Sequence, residues 1–201
     1  MITDYSSLKS VIANWLARTD LEPVIPDFIA MCEAELNRVL FAPEMEAFAE
    51  TVTSEQYVTL PQAQEIRRLA VDGEEIQLVT PEQLYVVRSS LPPSGKPRYA
   101  VVAGNVAEMH PTPDAEYTYQ IIYKETIPAL SDDKPTNWLL LKHPDAYLYG
   151  SLTHSAPYLH HDERVGVWSV KFENVVRQIN THNERAQYPT STWRAKLRYV
   201  T

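Results

Sequence analysis

Four of the chain's six histidines lie in one stretch, "NWLLLKHPDAYLYGSLTHSAPYLHH", residues 137–161. His143, His154 and His161 are eleven and seven residues apart, so one unbroken helix would align them on one face. Three imidazoles on one face suggest a metal centre. The spacing argues against it. Eleven residues span about 16 Å of helix at 1.5 Å per residue, too far for ligands of one ion. Pro157 also interrupts the helix before His161. Helical zinc pairs need i, i+4 spacing, and His160 and His161 are adjacent, pointing about 100° apart. The reading is therefore no metal and no cofactor, with these histidines capping helices and lining polar seams.

Carboxylates are the next chemistry to consider. Glu33, Glu35, Glu44, Glu46 and Glu50 could supply the acid and base of a glycosidase, which needs two carboxylates across a cleft. Acidic residues on helix faces are usually solvated, so their abundance says little. The chain has no GxSxG elbow, no HExxH and no phosphate-cradling glycine loop. Five glycines leave little material for a glycine-rich cofactor site. Ser155 beside His154 is no triad. No catalytic residue is assigned.

The third cluster is basic and aromatic. Arg185, Arg194, Lys196 and Arg198 interleave with Tyr188, Trp193 and Tyr199 near the C-terminus. Such interleaving can hold single-stranded nucleic acid. It equally suits an arm docking on a protein, since Trp, Tyr and Arg are the favoured interface anchors. The alternation in "STWRAKLRYV" also allows strand addition to another subunit. The net charge of −8 opposes tight binding to a phosphate backbone, so a protein partner is favoured.

These residues must be positioned by the rest of the chain. At 201 residues and 44% hydrophobic, the protein can build a sizeable core. One cysteine, Cys32, can form no internal disulfide and reads as a small core residue. No apolar run approaches the roughly 20 residues of a membrane span, and "MITDYSSLKS" lacks the order of a signal peptide.

Helical periodicity opens the chain. Leu8, Val11, Ile12 and Trp15 recur in a first helix capped by Thr3 or Asp4. Phe28, Cys32, Leu36 and Val39 line a second, with Pro26 in its first turn. The pattern then turns β-like. "MEAFAETVT" and "QYVTL" alternate, "IRRLAVDGEEIQLV" is a hairpin turned at Asp72-Gly73, and "RYAVVAGNVAEMHPTP" is another turned at Gly104-Asn105. A short helix capped by Thr80 and opened by Pro81 separates them, and "YTYQIIYKE" is a further strand.

Helices return at the end. Asn137 caps a short turn, and Pro144 opens a helix with a stripe of Leu148, Leu152, Ala156 and Leu159. Asp162 caps a long one carrying Val165, Trp168, Phe172, Val175, Val176 and Ile179. The expected fold is α+β. Residues 1–40 and 137–187 form a helical bundle, 41–136 a β-rich insertion, and 188–201 an extended C-terminal arm.

Four segments together carry a resemblance: "LKSVIANWLARTDLEPVIPDFIAMCEAELNRVL", "LPQAQEIRRLAVDGEEIQLVTPEQL", "GKPRYAVVAGN", and above all "IPALSDDKPTNWLLLKHPDAYLYGSLTHSAPYLHHDERVGVW". The chain resembles the phage head-to-tail adaptors, the connector proteins under the portal of many short-tailed phages. The resemblance implies a structural protein of the virion neck, made in the host cytoplasm. It implies a twelvefold homo-oligomeric ring on the portal protein that extends the DNA channel and docks a tail nozzle or other tail proteins. DNA would pass without specific binding. It further implies that the C-terminal arm grips the portal, here through Tyr188, Trp193, Arg194, Lys196, Arg198 and Tyr199. Peptidoglycan hydrolysis, also proposed within such proteins, is the alternative, and no residue here matches a hydrolase motif.

The residues fit a ring protein in their own right. Tyr147, Tyr149 and Tyr158 are too many for one small bundle core, so with Gly150, Trp168 and Phe172 they read as helix–helix or subunit packing. An acidic channel wall would let DNA slide, because like charge removes the phosphate attraction.

Overall fold

The computed structural model describes residues 1–159 and 163–187, with side chains described up to residue 182. The fold is α+β, with six α-helices and two four-stranded sheets among the described residues. The chain divides into two compact units. One is Met1–Pro43 with the chain from Ile127 on; the other is Glu44–Thr126.

The first unit is helical. α1 (Tyr5–Leu16) begins at Asp4, whose carboxylate accepts from the Ser7 N–H, while the Ser7 hydroxyl accepts from the Asp4 N–H. This reciprocal capping box satisfies two otherwise orphaned donors. Ala17 ends the helix in a left-handed conformation. The buried face is Tyr5, Leu8, Ile12 and Leu16. Trp15, expected on that face, is 42% exposed. Leu16 takes the inward position because it completes the i, i+4 row from Leu8 and Ile12.

α2 (Ile25–Val39) buries Ile25, Phe28, Ile29, Cys32, Glu33 and Leu36. α5 (Pro144–His154) packs against α1, α2 and α6 (Arg164–Gln187), so it is the bundle's centre. That position explains its burial: Ala146, Tyr147, Leu148, Gly150, Ser151 and Leu152 are all inside. The expected stripe through Ala156 and Leu159 is not one helix face. α5 stops at His154, where the Ser155 hydroxyl donates back to the Leu152 carbonyl, and Ala156–Tyr158 forms a 3₁₀ turn. Pro157 lacks the N–H that continuation would need. α6 buries Trp168, Phe172 and Ile179, and its Asn180 finishes α2. The Asn180 amide donates to the Val39 carbonyl and its oxygen accepts from the Phe41 N–H, both at 2.9 Å. The Asp162 cap expected for α6 lies outside the described residues.

The second unit holds β1 (Glu46–Thr53), β2 (Tyr57–Thr59), β3 (Glu65–Val71), β4 (Glu74–Glu75), β5 (Gln77–Leu78), α3 (Pro81–Arg88), β6 (Tyr99–Ala103), β7 (Val106–His110) and β8 (Tyr117–Lys124). One sheet runs β1-β8-β3-β4 and the other β2-β7-β6-β5. They share a core of Val58, Leu69, Val71, Ala100, Met109, Tyr119 and Ile121, among others. Asp72 and Gly73 turn the β3–β4 hairpin with positive φ at both positions, as a two-residue turn of matching twist requires. The hairpin does not continue as expected through "IQLV". Ile76 is buried and donates to the Leu69 carbonyl, and Gln77 then crosses to the other sheet, parallel to β6. Thr80 and Gln83 cap α3 reciprocally.

Candidate functional site

The histidine-rich stretch breaks into separate local roles. α4 (Trp138–Lys142) is capped by Asn137, whose oxygen accepts from the Leu140 N–H at 2.8 Å. His143 is the joint between α4 and α5, with its N–H donating to the Leu139 carbonyl at 2.7 Å. His154 ends α5, and its Nε2 lies 2.9 Å from Glu35 Oε2, close enough for an ion pair but misaligned for a hydrogen bond. His160 and His161 lie outside the described residues. Among the described residues, no three His, Cys, Asp or Glu side chains converge on a possible metal position.

The packing residues named from the sequence gather around α5. Gly150 faces both Cys32 of α2 and Phe172 of α6, and a Cβ there would overlap the Cys32 sulfur. Three helices therefore meet at a point with room only for hydrogen. Cys32 is wholly buried, with burial pushing its thiol far above the usual range, so it is no nucleophile. Trp168 is buried with the Arg164 guanidinium 5.3 Å from its ring centroid. Tyr149 is half-buried between Trp15, edge-on at 6.0 Å, and the Lys171 ammonium, 5.4 Å from its ring. Tyr158 is 45% exposed and meets Phe28 edge-on at 5.3 Å.

Tyr147 is fully buried and belongs to a polar network that the sequence reading missed. Its hydroxyl donates to Glu33 Oε1 at 3.1 Å and accepts from the Asn137 amide at 2.6 Å. Asn137 also donates to the Pro128 carbonyl at 2.7 Å. Glu33 accepts from the Leu130 N–H at 2.8 Å, and Asn37, one turn on, accepts from the Ile127 N–H at 2.7 Å. Glu33 was expected to be solvated. It is buried instead, and desolvation raises its pKa against the opposing pull of Leu130 and Tyr147. The network pins the loop 127–137, "IPALSDDKPTN", onto α2 and α5. Tyr5 N–H to the Pro135 carbonyl (2.7 Å) and Lys9 to Asp132 (2.9 Å) hold the same loop to α1. A signal was present in the spacing: Glu33 borders the arc of Phe28, Cys32, Leu36 and Ile29, one turn on from Ile29.

This arrangement is structural. Its ionisable groups, Glu33 and Tyr147, are occupied by backbone and by one another. The loop and α5 also make up the segment most specific to the resemblance. The SU10 adaptor protein family model matches residues 3–196, nearly the whole chain. The chain belongs to the SU10 adaptor protein family. Among curated proteins, none matches it. Family membership agrees with the resemblance to phage head-to-tail adaptors and makes the buried network around Glu33 part of an adaptor's scaffold.

Two further features of this adaptor-family chain lie in the β unit. β1 carries exposed Phe48 and Val52, and an open groove is lined by Arg67, Arg68, Leu78, Val86 and Tyr99. The arm residues Tyr188, Trp193, Arg194, Lys196, Arg198 and Tyr199 lie outside the described residues. No helix among the described residues is long and apolar enough to cross a membrane.

Proposed function

We propose that this protein is a structural, non-enzymatic adaptor of a phage virion, placed in the neck between head and tail. Copies form a ring, twelvefold by the resemblance, beneath the portal protein. The ring extends the DNA channel and offers a platform to a tail nozzle or other tail proteins. The observation that carries this reading is the adaptor family match over residues 3–196. The chain's physical character supports it. A net charge of −8 suits a channel through which DNA slides without specific binding, and exposed aromatic and aliphatic side chains on several elements suit repeated protein contacts.

The proposed portal contact is the arm from Tyr188 to Thr201. Trp193 and Tyr199 are anchors of the kind that dominate interfaces, and Arg194, Lys196 and Arg198 suit an acidic or carbonyl-rich groove. Self-repulsion of acidic copies favours assembly templated by the portal.

Light scattering on the purified protein, alone and with its cognate portal, tests the proposal. The expected result is a large complex of defined mass on mixing, lost when Tyr188–Thr201 is deleted. A protein that stays monomeric and leaves the portal unbound overturns the adaptor reading. Portal binding that survives the deletion overturns the role of the arm.

A further inference from the structure

The β unit presents two surfaces that complement each other. At one margin of its sheet, β1 is an edge strand of eight residues that, among the described residues, pairs only with β8. Its outward face is Glu46, Phe48, Glu50 and Val52, with Phe48 61% and Val52 59% exposed. Large exposed apolar side chains such as Phe48 and Val52 are what edge strands normally avoid, unless something covers them.

Elsewhere on the unit, between β3 and the β5, β6 and α3 segments, is an open groove of about 1000 Å³. Leu69, Leu78 and Tyr99 line it from the strands, Ile76 from the link between β4 and β5, and Val86 from α3, with Arg67 and Arg68 also lining it. Val86 is 67% exposed and Leu78 is also exposed. Each arginine has an exposed local carboxylate near it, Glu65 at 3.8 Å and Glu75 at 3.4 Å. Such surface pairs are weak and exchange readily for better-aligned partners.

We infer that the β1 ridge of one copy seats in the β3–β5/α3 groove of a second copy. Phe48 and Val52 enter the apolar floor, and Glu46 and Glu50 meet Arg67 and Arg68. Charge selects this pairing over the alternative. Two β1 ridges meeting about a two-fold axis would gather Glu46 and Glu50 of both copies with no basic side chain on either ridge to offset them, which is unfavourable. Ridge into groove brings opposite charges together. Because ridge and groove are different surfaces, one on β1 and the other where β3 of the first sheet meets β5, β6 and α3, the contact is head-to-tail, the kind that closes into a ring when the rotation fits. The inference rests on the homo-oligomer part of the proposed function and names the surfaces it uses.

Sedimentation velocity on the full chain, alone and with the portal, tests it. The variants are Phe48→Glu in the ridge and Val86→Glu in the groove, both at exposed positions, with folding checked by circular dichroism. Each alone is expected to weaken self-association at least tenfold. Mixed one to one, they should form a species that stops at two copies, because the pair retains one good ridge and one good groove. Glu50→Arg and Arg68→Glu should each weaken assembly and restore it when combined in one chain. Variants that assemble like wild type, or a mixture that stays monomeric, overturn this contact and leave the adaptor reading standing. Wild type that assembles neither alone nor on the portal overturns the ring itself, and this contact with it.

Discussion

Gly150 and Cys32 contend for one space where α2 crosses α5. A Cβ built on Gly150 overlaps the Cys32 sulfur and comes within 2.8 Å of Phe172 Cε2. Neither neighbour can retreat easily, since Cys32 is wholly buried and Phe172 is held between α5 and α6. The glycine is required by this close approach and not by its backbone angles. Gly150→Ala is expected to cost about 1–3 kcal/mol, the range for overpacking a close-packed interior. Urea unfolding would show it as a lower midpoint at unchanged slope. Adding Cys32→Ala or Cys32→Gly to the alanine variant should recover part of the loss, because the obstructing atom is gone.

Tyr147 links three segments through one hydroxyl. Tyr147→Phe keeps the ring packing and removes the bonds to Glu33 and Asn137. Both partners retain another bond, Glu33 from Leu130 and Asn137 to Pro128, so the expected loss is about 1–2 kcal/mol. Asn137→Ala removes more. It takes away the α4 cap and two donated bonds, leaving the Pro128 carbonyl without this donor, for an expected loss of about 2–4 kcal/mol. Hydrogen exchange would locate the difference. In Asn137→Ala the amides of Ile127 and Leu130 should exchange faster even where the centre of α5 stays protected.

The same network predicts a pH dependence with a definite sign. Burial raises the Glu33 pKa above its ordinary value of 4.5, ahead of the lowering effects of Leu130 and Tyr147. A carboxyl that binds its proton more tightly when folded favours the folded state at low pH. That contribution is complete below the unfolded pKa and is lost as pH rises through the folded one. Gln at position 33 keeps an oxygen for the Leu130 N–H and cannot ionise. The stability of Glu33→Gln relative to wild type should therefore rise from pH 4 to pH 7. A difference that is flat or falls over that interval would mean Glu33 is not desolvated as described.

Much of the local structure was legible because its causes are local. Asp72-Gly73 requires two positive φ values, Thr80 and Asn137 are caps, and Pro144, whose fixed φ suits a first helical turn, opens α5 without a side-chain cap before it. What was hidden depends on distant partners. Gln77 and Leu78 look like the return arm of a hairpin and join β6 of the other sheet, because the buried Ile76 turns the chain first. Trp15 looks like core by its character and stands outside because Leu16 holds the inward row. Glu33 was overlooked for its charge, although its position at the border of an apolar arc marked it. The β1 ridge and the groove could not be found from spacing at all, since Phe48 and Val86 belong to surfaces that exist only once two sheets and a helix are assembled.

His110 offers a contrast to Glu33, in the other unit. It ends β7, is buried, and its Nε2 has no hydrogen-bond partner among the described residues. Burial lowers its pKa, the nearby Arg88 lowers it further, and Glu108 acts in the opposite direction. Arg88 and Glu108 are themselves an ion pair, so the carboxylate does little to welcome a charged imidazole. A histidine with a depressed folded pKa contributes stability that is complete above its unfolded value of 6.5 and lost as pH falls through the folded one. Acidification from pH 7 to pH 5 should therefore loosen the β unit. Amide exchange of β6 and β7, corrected for the intrinsic effect of pH, should speed up over that interval. His110→Gln should flatten the response while leaving α1 and α2 unchanged, and a β unit equally protected at both pH values in wild type would show that His110 is not held neutral by burial.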